Sequence, residues 1–274
     1  MENTGETAGR PVEPQAETVV LGAARIAVRR LGRAAGAAPT LLFLHEGLGS
    51  IGQWRDGPDA LAAATGLAAV VFDRIGHGGS SRLIGPRPPD FMQREAHEVL
   101  PPLLDRLGIG RVLPIGHSDG GTIALFYAAA FPERVAGLVT LAAHVFVEEE
   151  TLAGIRQAVR AFEAGDLKPR LARYHGDNTE SMFRGWADVW LSPGFRDFSA
   201  LGALKRITAP LLVLQGADDE YGTPKQVEAI RDGVSGPVET HLIPACGHAP
   251  QAQARAIVLP LIAEFVRRVA SPPQ

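Results

Sequence analysis

RVLPIGHSDGGTIALFYAAA, residues 111–130, runs from one apolar stretch through a tight glycine turn into a second apolar stretch. The first stretch has the length and composition of a buried strand, and the second predicts a helix. A serine centred in Gly-x-Ser-x-Gly between a strand and a helix is forced into a strained backbone conformation that exposes its hydroxyl. Side chains at the flanking glycines would collide with the neighbouring strand or helix. The hydroxyl also ends near a helix N-terminus, where backbone N–H groups favour a developing negative charge. Ser118 is therefore the candidate nucleophile. The competing reading, a plain Gly/Ser turn, explains neither the strand before it nor the helix after it.

Outward from this turn, short apolar runs recur, each ending in glycine or polar residues: TLLFLHEG, LAAVVFDRIGHG, VAGLVTLAAH, PLLVLQG and THLIPACGH. Segments with helical spacing lie between most of them, so the alternation predicts a mostly parallel sheet with crossover helices. Residues 18–30 alternate apolar and polar positions around a glycine and predict an antiparallel hairpin opening that sheet. Residues 146–209 break the rhythm. They contain two helix-like segments and the aromatics Tyr174, Phe183, Trp186, Trp190, Phe195 and Phe198. A structureless loop of that length is improbable in a compact domain, so a helical lid packed over the sheet is expected there. Most of its aromatics are expected to hold it to the body.

A serine hydroxyl is a weak nucleophile at neutral pH and needs a base oriented by a third group. Both are present downstream. The run PLLVLQGADDEYGTP is a strand followed by a loop with Asp218 and Asp219, and THLIPACGHAP is a strand followed by a loop with His248. The order serine, acid, histidine is the one such a strand–turn–helix nucleophile requires. Both loops are expected beside Ser118 at the carboxyl edge of the sheet.

The segments LHEGLGS, DRIGHGGSS, GHSDGG, QGADDEYGTP and CGH together resemble the α/β-hydrolase superfamily, over nearly everything after the first residues. The resemblance implies an eight-stranded, mostly parallel sheet with helices on both faces and a helical lid. It implies a triad of Ser118, His248 and Asp219, because the family's G-x-x-D falls on Gly216 and Asp219 rather than on Asp218. It also implies an oxyanion hole formed by the backbone N–H groups of Asp119 and Gly47. Glu46 departs from the family pattern, which has glycine there; it is expected to enter a polar network with a neighbour such as Arg74, or else to contact substrate. The DRIGHGGSS loop is expected to be structural. The activity implied is hydrolysis of a small carboxylic ester, lactone or thioester. The alternatives are cleavage of a carbon–carbon bond in a ring-cleavage product, or a cofactor-free oxygenase or lyase on the same scaffold; a non-catalytic receptor is disfavoured by the intact triad.

With 274 residues, 46% hydrophobic and 21% charged, the chain is long enough for one large α/β domain, expected over residues 17–145 and 210–274 with the lid at 146–209. A formal net charge of −3 without a basic cluster gives no footprint for nucleic acid. The longest apolar runs, 61–72 and 135–147, are too short to span a bilayer. Residues 1–16 are polar and proline-containing and read as a flexible tail, and with a single cysteine, Cys246, this favours the cytoplasm. Cys246 is expected to be a small buried residue. His45, His77, His117 and His144 lack the paired spacing of a metal site, so neither a metal nor a cofactor is expected. The expected partner is a small apolar or aromatic substrate, taken by a monomer or homodimer, with Glu46, His144, Trp186 and Trp190 as candidate contacts.

Overall fold

The computed structural model describes residues 16–32 and 38–270; the tail expected over residues 1–16 thus lies, Ala16 apart, outside the described residues. Eight strands form one sheet: β1 (Glu17–Leu21), β2 (Ala24–Leu31), β3 (Thr40–Leu44), β4 (Ala69–Phe72), β5 (Val112–His117), β6 (Leu138–Leu141), β7 (Leu211–Gly216) and β8 (Val238–Ile243). Their spatial order is β1-β2-β4-β3-β5-β6-β7-β8. β1 pairs antiparallel with β2, and β2 with β4, while every other neighbour pair is parallel. The predicted hairpin and the predicted parallel sheet are both present.

Alternation along the central strands divides the core into two layers, as a sheet covered on both faces requires. In β3, Leu42 and Leu44 join one apolar cluster, and Leu41 and Phe43 join the other. β7 repeats this, with Leu211 and Val213 on one face and Leu212 and Leu214 on the opposite one. The first layer is closed by the helix Asp119–Ala130, buried along almost its whole length. The second is closed by the helices Gly57–Thr65 and Arg255–Ala270. No helix among the described residues is long and apolar enough to cross a membrane.

Three longer helices, Glu149–Ala164, Leu167–His175 and Thr179–Leu191, followed by the short helix Leu201–Leu204, lie between β6 and β7. The sequence signals only two of them. The middle one, LKPRLARYH, buries just Leu171 and His175, so it lacks a readable apolar stripe, and its proline sits in the first turn, where no intrahelical N–H is needed. The aromatics anchor this insertion to the body. Phe195 stacks on Phe198 at 4.7 Å and on Phe91 at 6.2 Å between ring centres. Phe183, Trp190 and Phe195 are buried, whereas Tyr174 is exposed.

The tightest constraint in the sheet lies at the C-terminal end of β5. A Cβ on Gly120 would sit 2.0 Å from the Leu44 carbonyl oxygen of β3. The helix after the turn therefore presses backbone to backbone against the neighbouring strand. Gly120→Ala should improve helix propensity by about 1 kcal/mol, while overpacking costs about 1–3 kcal/mol, or more against unyielding backbone. The clash should win, and thermal unfolding monitored by circular dichroism should show a midpoint several degrees lower; an equal or higher midpoint would mean that the contact relaxes freely.

Candidate active site

Ser118 links β5 to the helix Asp119–Ala130 with φ +53° and ψ −119°. A non-glycine residue there carries strain of about 1–3 kcal/mol, and it persists only where the surroundings over-determine it. They do so here: the Ser118 N–H donates to Leu141 O at 2.8 Å, and Ser118 O accepts from Gly121 N–H at 2.8 Å. The strained turn aims the hydroxyl at the loop after β8. His248 Nε2 lies 2.9 Å from Ser118 Oγ. On the other side of the ring, His248 Nδ1 lies 2.8 and 3.0 Å from the two carboxylate oxygens of Asp219. Asp219 also accepts from the Tyr221 N–H at 2.9 Å. Burial by itself would raise its pKa, but the hydrogen bond and charge of His248 hold the carboxyl below its ordinary range. Asp218 is exposed, and its N–H is spent on Cys246 O at 2.9 Å. Of the two adjacent aspartates, Asp219 is the one brought to the histidine.

Asp119 is the first residue of its helix, so its N–H has no intrahelical acceptor. Gly47 lies in the loop after β3, and a Cβ there would fall 2.2 Å from the Trp186 indole. Only glycine lets the insertion close on this loop. Glu46 enters a polar network, as expected, but its carboxylate takes another partner than Arg74. Arg74 reaches its main-chain carbonyl, with Nη2 donating at 2.8 Å, and not its carboxylate. The carboxylate instead lies 3.3 Å from His117 Nδ1. Burial opposes its ionisation, yet the hydrogen bond and charge of His117 bring it down to about 2. His117 Nε2 in turn donates to the His248 carbonyl at 2.7 Å. Burial would lower the His117 value, but Glu46 raises it above the ordinary range. No local sequence signal marks this link behind His248, because His117 occupies the variable position of Gly-x-Ser-x-Gly.

His144, at the end of β6, is 3% exposed. Its Nε2 donates to Tyr221 O at 3.0 Å. Burial, and then the charge of His248, lower it to about 4, so the ring is neutral and Nδ1 is an acceptor. Among the described residues that nitrogen is buried without a hydrogen-bond partner. Cys246 is buried, as expected. In the DRIGHGGSS loop Asp73 ties two segments together, accepting from Ile51 N–H at 2.7 Å and Gly79 N–H at 2.8 Å, which is a structural role.

A cavity of about 400 Å³ opens over these groups and is lined by Ser118, His248, Glu46, His144, Trp186 and Trp190, among others. The insertion adds Ile155, Leu167 and Leu171, with Thr151 and Arg170 beside them, which makes that wall mostly apolar. Trp190 is also pinned by its indole N–H, which donates to Asp119 Oδ1 at 3.2 Å. A second cavity of about 410 Å³, lined by Arg82, Arg87 and Arg184, contains neither Ser118 nor His248.

The Glu46–His117 pair has a signature in stability against pH. The Glu46 value is depressed from its ordinary 4.5, so its contribution is present above that value and fades as pH falls toward about 2. The His117 value is raised, so its contribution is present below its ordinary 6.5 and fades as pH rises through the folded-state value. The stability advantage of the parent over Glu46→Gln should therefore be largest between these limits and shrink on both sides. Ring-proton NMR of His117 should show its titration moved downward in Glu46→Gln. An unmoved titration would mean that the carboxylate does not act on this ring.

Residues 39–200 match the family model described as alpha/beta hydrolase fold. The human serine hydrolase BPHL is 29% identical over 192 residues, covering 66% of this chain and 63% of the relative, which is less than two thirds of its length. Esterase Rv0045c of Mycobacterium tuberculosis is 26% identical over 285 residues, covering 93% of this chain and 89% of that protein. The crystal structure of VinJ superposes with a TM-score of 0.73 at 24% identity, covering 93% of this chain and 98% of the other, and so agrees in fold. The strand order, the strained serine turn and the matched segment converge: the chain belongs to the α/β hydrolase fold family.

Proposed function

We propose that the protein is a serine hydrolase that cleaves a small carboxylic ester, lactone or thioester through an acyl-enzyme on Ser118. The observation that carries this reading is the continuous chain from Ser118 Oγ to His248 Nε2 at 2.9 Å and from His248 Nδ1 to Asp219 at 2.8 Å. In the proposed reaction His248 takes the serine proton as Oγ attacks the carbonyl carbon, then gives it to the leaving group. Water, deprotonated by the same imidazole, releases the acid. Asp219 holds the ring with its proton on Nδ1 and stabilises the imidazolium. The N–H groups of Asp119 and Gly47 meet the oxyanion, and one such donor is worth about 2.7–4 kcal/mol. The similarity to proteins named serine hydrolase and esterase supports the same class of chemistry.

Residues 146–209 act as the lid in this proposal and set substrate size. Their apolar wall suits a small apolar or aromatic acyl group, and the bare Nδ1 of His144 suits a substrate that also carries a hydroxyl or N–H donor. The close packing of the Trp186 indole on Gly47 supports a role for this ring in substrate selection.

Fluorophosphonate treatment followed by peptide mass spectrometry should place the adduct on Ser118, and Ser118→Ala should abolish both labelling and ester hydrolysis. An adduct elsewhere, or retained turnover, would remove the serine mechanism. A panel containing p-nitrophenyl esters, lactones, acyl thioesters and dienoic ring-cleavage products should show turnover of the acyl compounds. Turnover of the dienoic compounds alone, or oxygen uptake without an acyl-enzyme, would select the carbon–carbon or oxygenase alternative.

Asp219→Asn should lower turnover by about 10⁴-fold, the loss measured for the acid of a well-studied triad. Asp218→Asn should stay near the parent; equal losses would dissociate the hydrogen bond to His248 from catalysis. Trp186→Ala should change the preference between small and bulky acyl groups by about 10–200-fold, since each methylene in an apolar pocket is worth about 1–3 kcal/mol. Unchanged selectivity would assign the indole to packing alone.

A further inference from the structure

Three donors converge on one carbonyl. The Glu46 oxygen lies 3.1 Å from the Gly49 N–H, 2.8 Å from His45 Nδ1 and 2.8 Å from Arg74 Nη2. The tautomer of His45 is fixed by its neighbour: the Arg74 main-chain N–H donates to His45 Nε2 at 3.0 Å, so Nδ1 carries the proton and donates to Glu46. His45 is 0% and Arg74 1% exposed, so these bonds act where water does not weaken them.

The other side of that peptide unit is the N–H of Gly47, which the proposed mechanism uses as an oxyanion donor. A trans peptide is planar, with its C=O and N–H pointing in opposite directions, so holding the oxygen fixes the direction of the N–H. Donors on the oxygen also draw electron density from the nitrogen and make its proton a stronger donor, most of all when one donor is a cation. The same Arg74 nitrogen lies 3.7 Å from Asp119 Oδ2. Asp119 supplies the second proposed oxyanion donor from its main chain, and its other carboxylate oxygen is held by the Trp190 indole at 3.2 Å.

We propose that Arg74 is a positioning residue for the oxyanion hole: its guanidinium aims and polarises the Glu46–Gly47 peptide while anchoring Asp119, so that both donors are set before substrate arrives. This rests on the serine-hydrolase reading of the site. A merely structural ion pair would support the fold equally well but would not distinguish transition state from ground state.

The test separates these roles. Arg74→Met alone strands the buried Asp119 carboxylate and endangers folding, so the primary variant is Arg74→Met/Asp119→Asn, which removes both charges and keeps an acceptor for Trp190. Arg74→Lys, which retains the charge without the fork, is the second. Glu46-Gly47 is the sole Glu-Gly junction in the sequence, so ¹³C-carbonyl glutamate with ¹⁵N-glycine labelling isolates the Gly47 amide as one resonance. Its proton should move upfield in both variants, more in the methionine variant. With the best ester from the panel, kcat should fall about 10–100-fold, below the full loss of about 10²–10³ for removing a donor, with KM within about threefold. The inhibition constant of a matching trifluoromethyl ketone, which forms a tetrahedral oxyanion on the serine, should rise by the same factor as kcat/KM falls.

An unmoved Gly47 resonance overturns the proposal. So does a variant whose KM rises while kcat and ketone affinity are kept. If the parent protein is neither labelled by fluorophosphonate nor inhibited by the ketone, the hydrolase reading fails, and the Gly47 shift still decides whether Arg74 polarises this peptide.

Discussion

The backbone-to-backbone contact between the first turn of the helix Asp119–Ala130 and the ends of β3 and β5 governs the rest of the site. A Cβ on Gly116 would meet Gly120 O at 2.2 Å, and one on Gly120 would meet Leu44 O at 2.0 Å. With that approach enforced, the chain can leave β5 only through a residue with positive φ, and Ser118 at +53° absorbs the strain. The turn is held by the bond from its N–H to Leu141 of β6, so two neighbouring strands, both buried in parallel pairing, support one hydroxyl. A softer junction would relax the serine and lose its alignment with the histidine.

Around this rigid point the polar residues form one connected frame. Arg74 reaches the loop after β3, His117 joins that loop to the main chain of His248, and Glu220 accepts the His248 N–H at 3.1 Å. The loops after β3, β5, β7 and β8 are thus bound to one another, with Arg74 and His117 buried and Glu220 at the surface. Buried polar groups are costly unless each has a partner. Among the described residues Nε and Nη1 of Arg74 and Nδ1 of His144 are buried without a hydrogen-bond partner, and of these residues His144 is the one that lines the cavity with Ser118. The mostly apolar face of the insertion and this polar frame line one cavity, whose two sides differ in chemistry.

Much of this was legible in the chain because it depends on local rules. Strand residues alternate between the two core layers, so β3 to β8 appear as short apolar runs, and the glycine pattern around Ser118 marks a turn that only a strand–helix junction makes. The serine and the histidine followed from chain order and loop position, while the choice of Asp219 over Asp218 came from the resemblance to the family's G-x-x-D segment. Other features were not legible for an equally physical reason. The helix Leu167–His175 buries too few residues to leave a period, and the partner of the Glu46 side chain depends on where the fold sets two distant residues: Arg74 Nη2 meets the Glu46 main-chain carbonyl, while His117 Nδ1 meets the carboxylate.

The succession of strands, the strained serine turn and the groups that could do acid–base and nucleophilic work can be read along the chain, because these are set by side-chain periodicity and by backbone sterics within a few residues. Which of those groups meet is settled by the packing of the whole fold. Ser118 and His248 are 130 residues apart in the chain, and Glu46 and His117 are 71 apart, yet each pair lies within hydrogen-bonding distance. Tautomers, ionisation states and the direction of the Gly47 N–H follow from such long-range contacts and from burial, which no local pattern encodes.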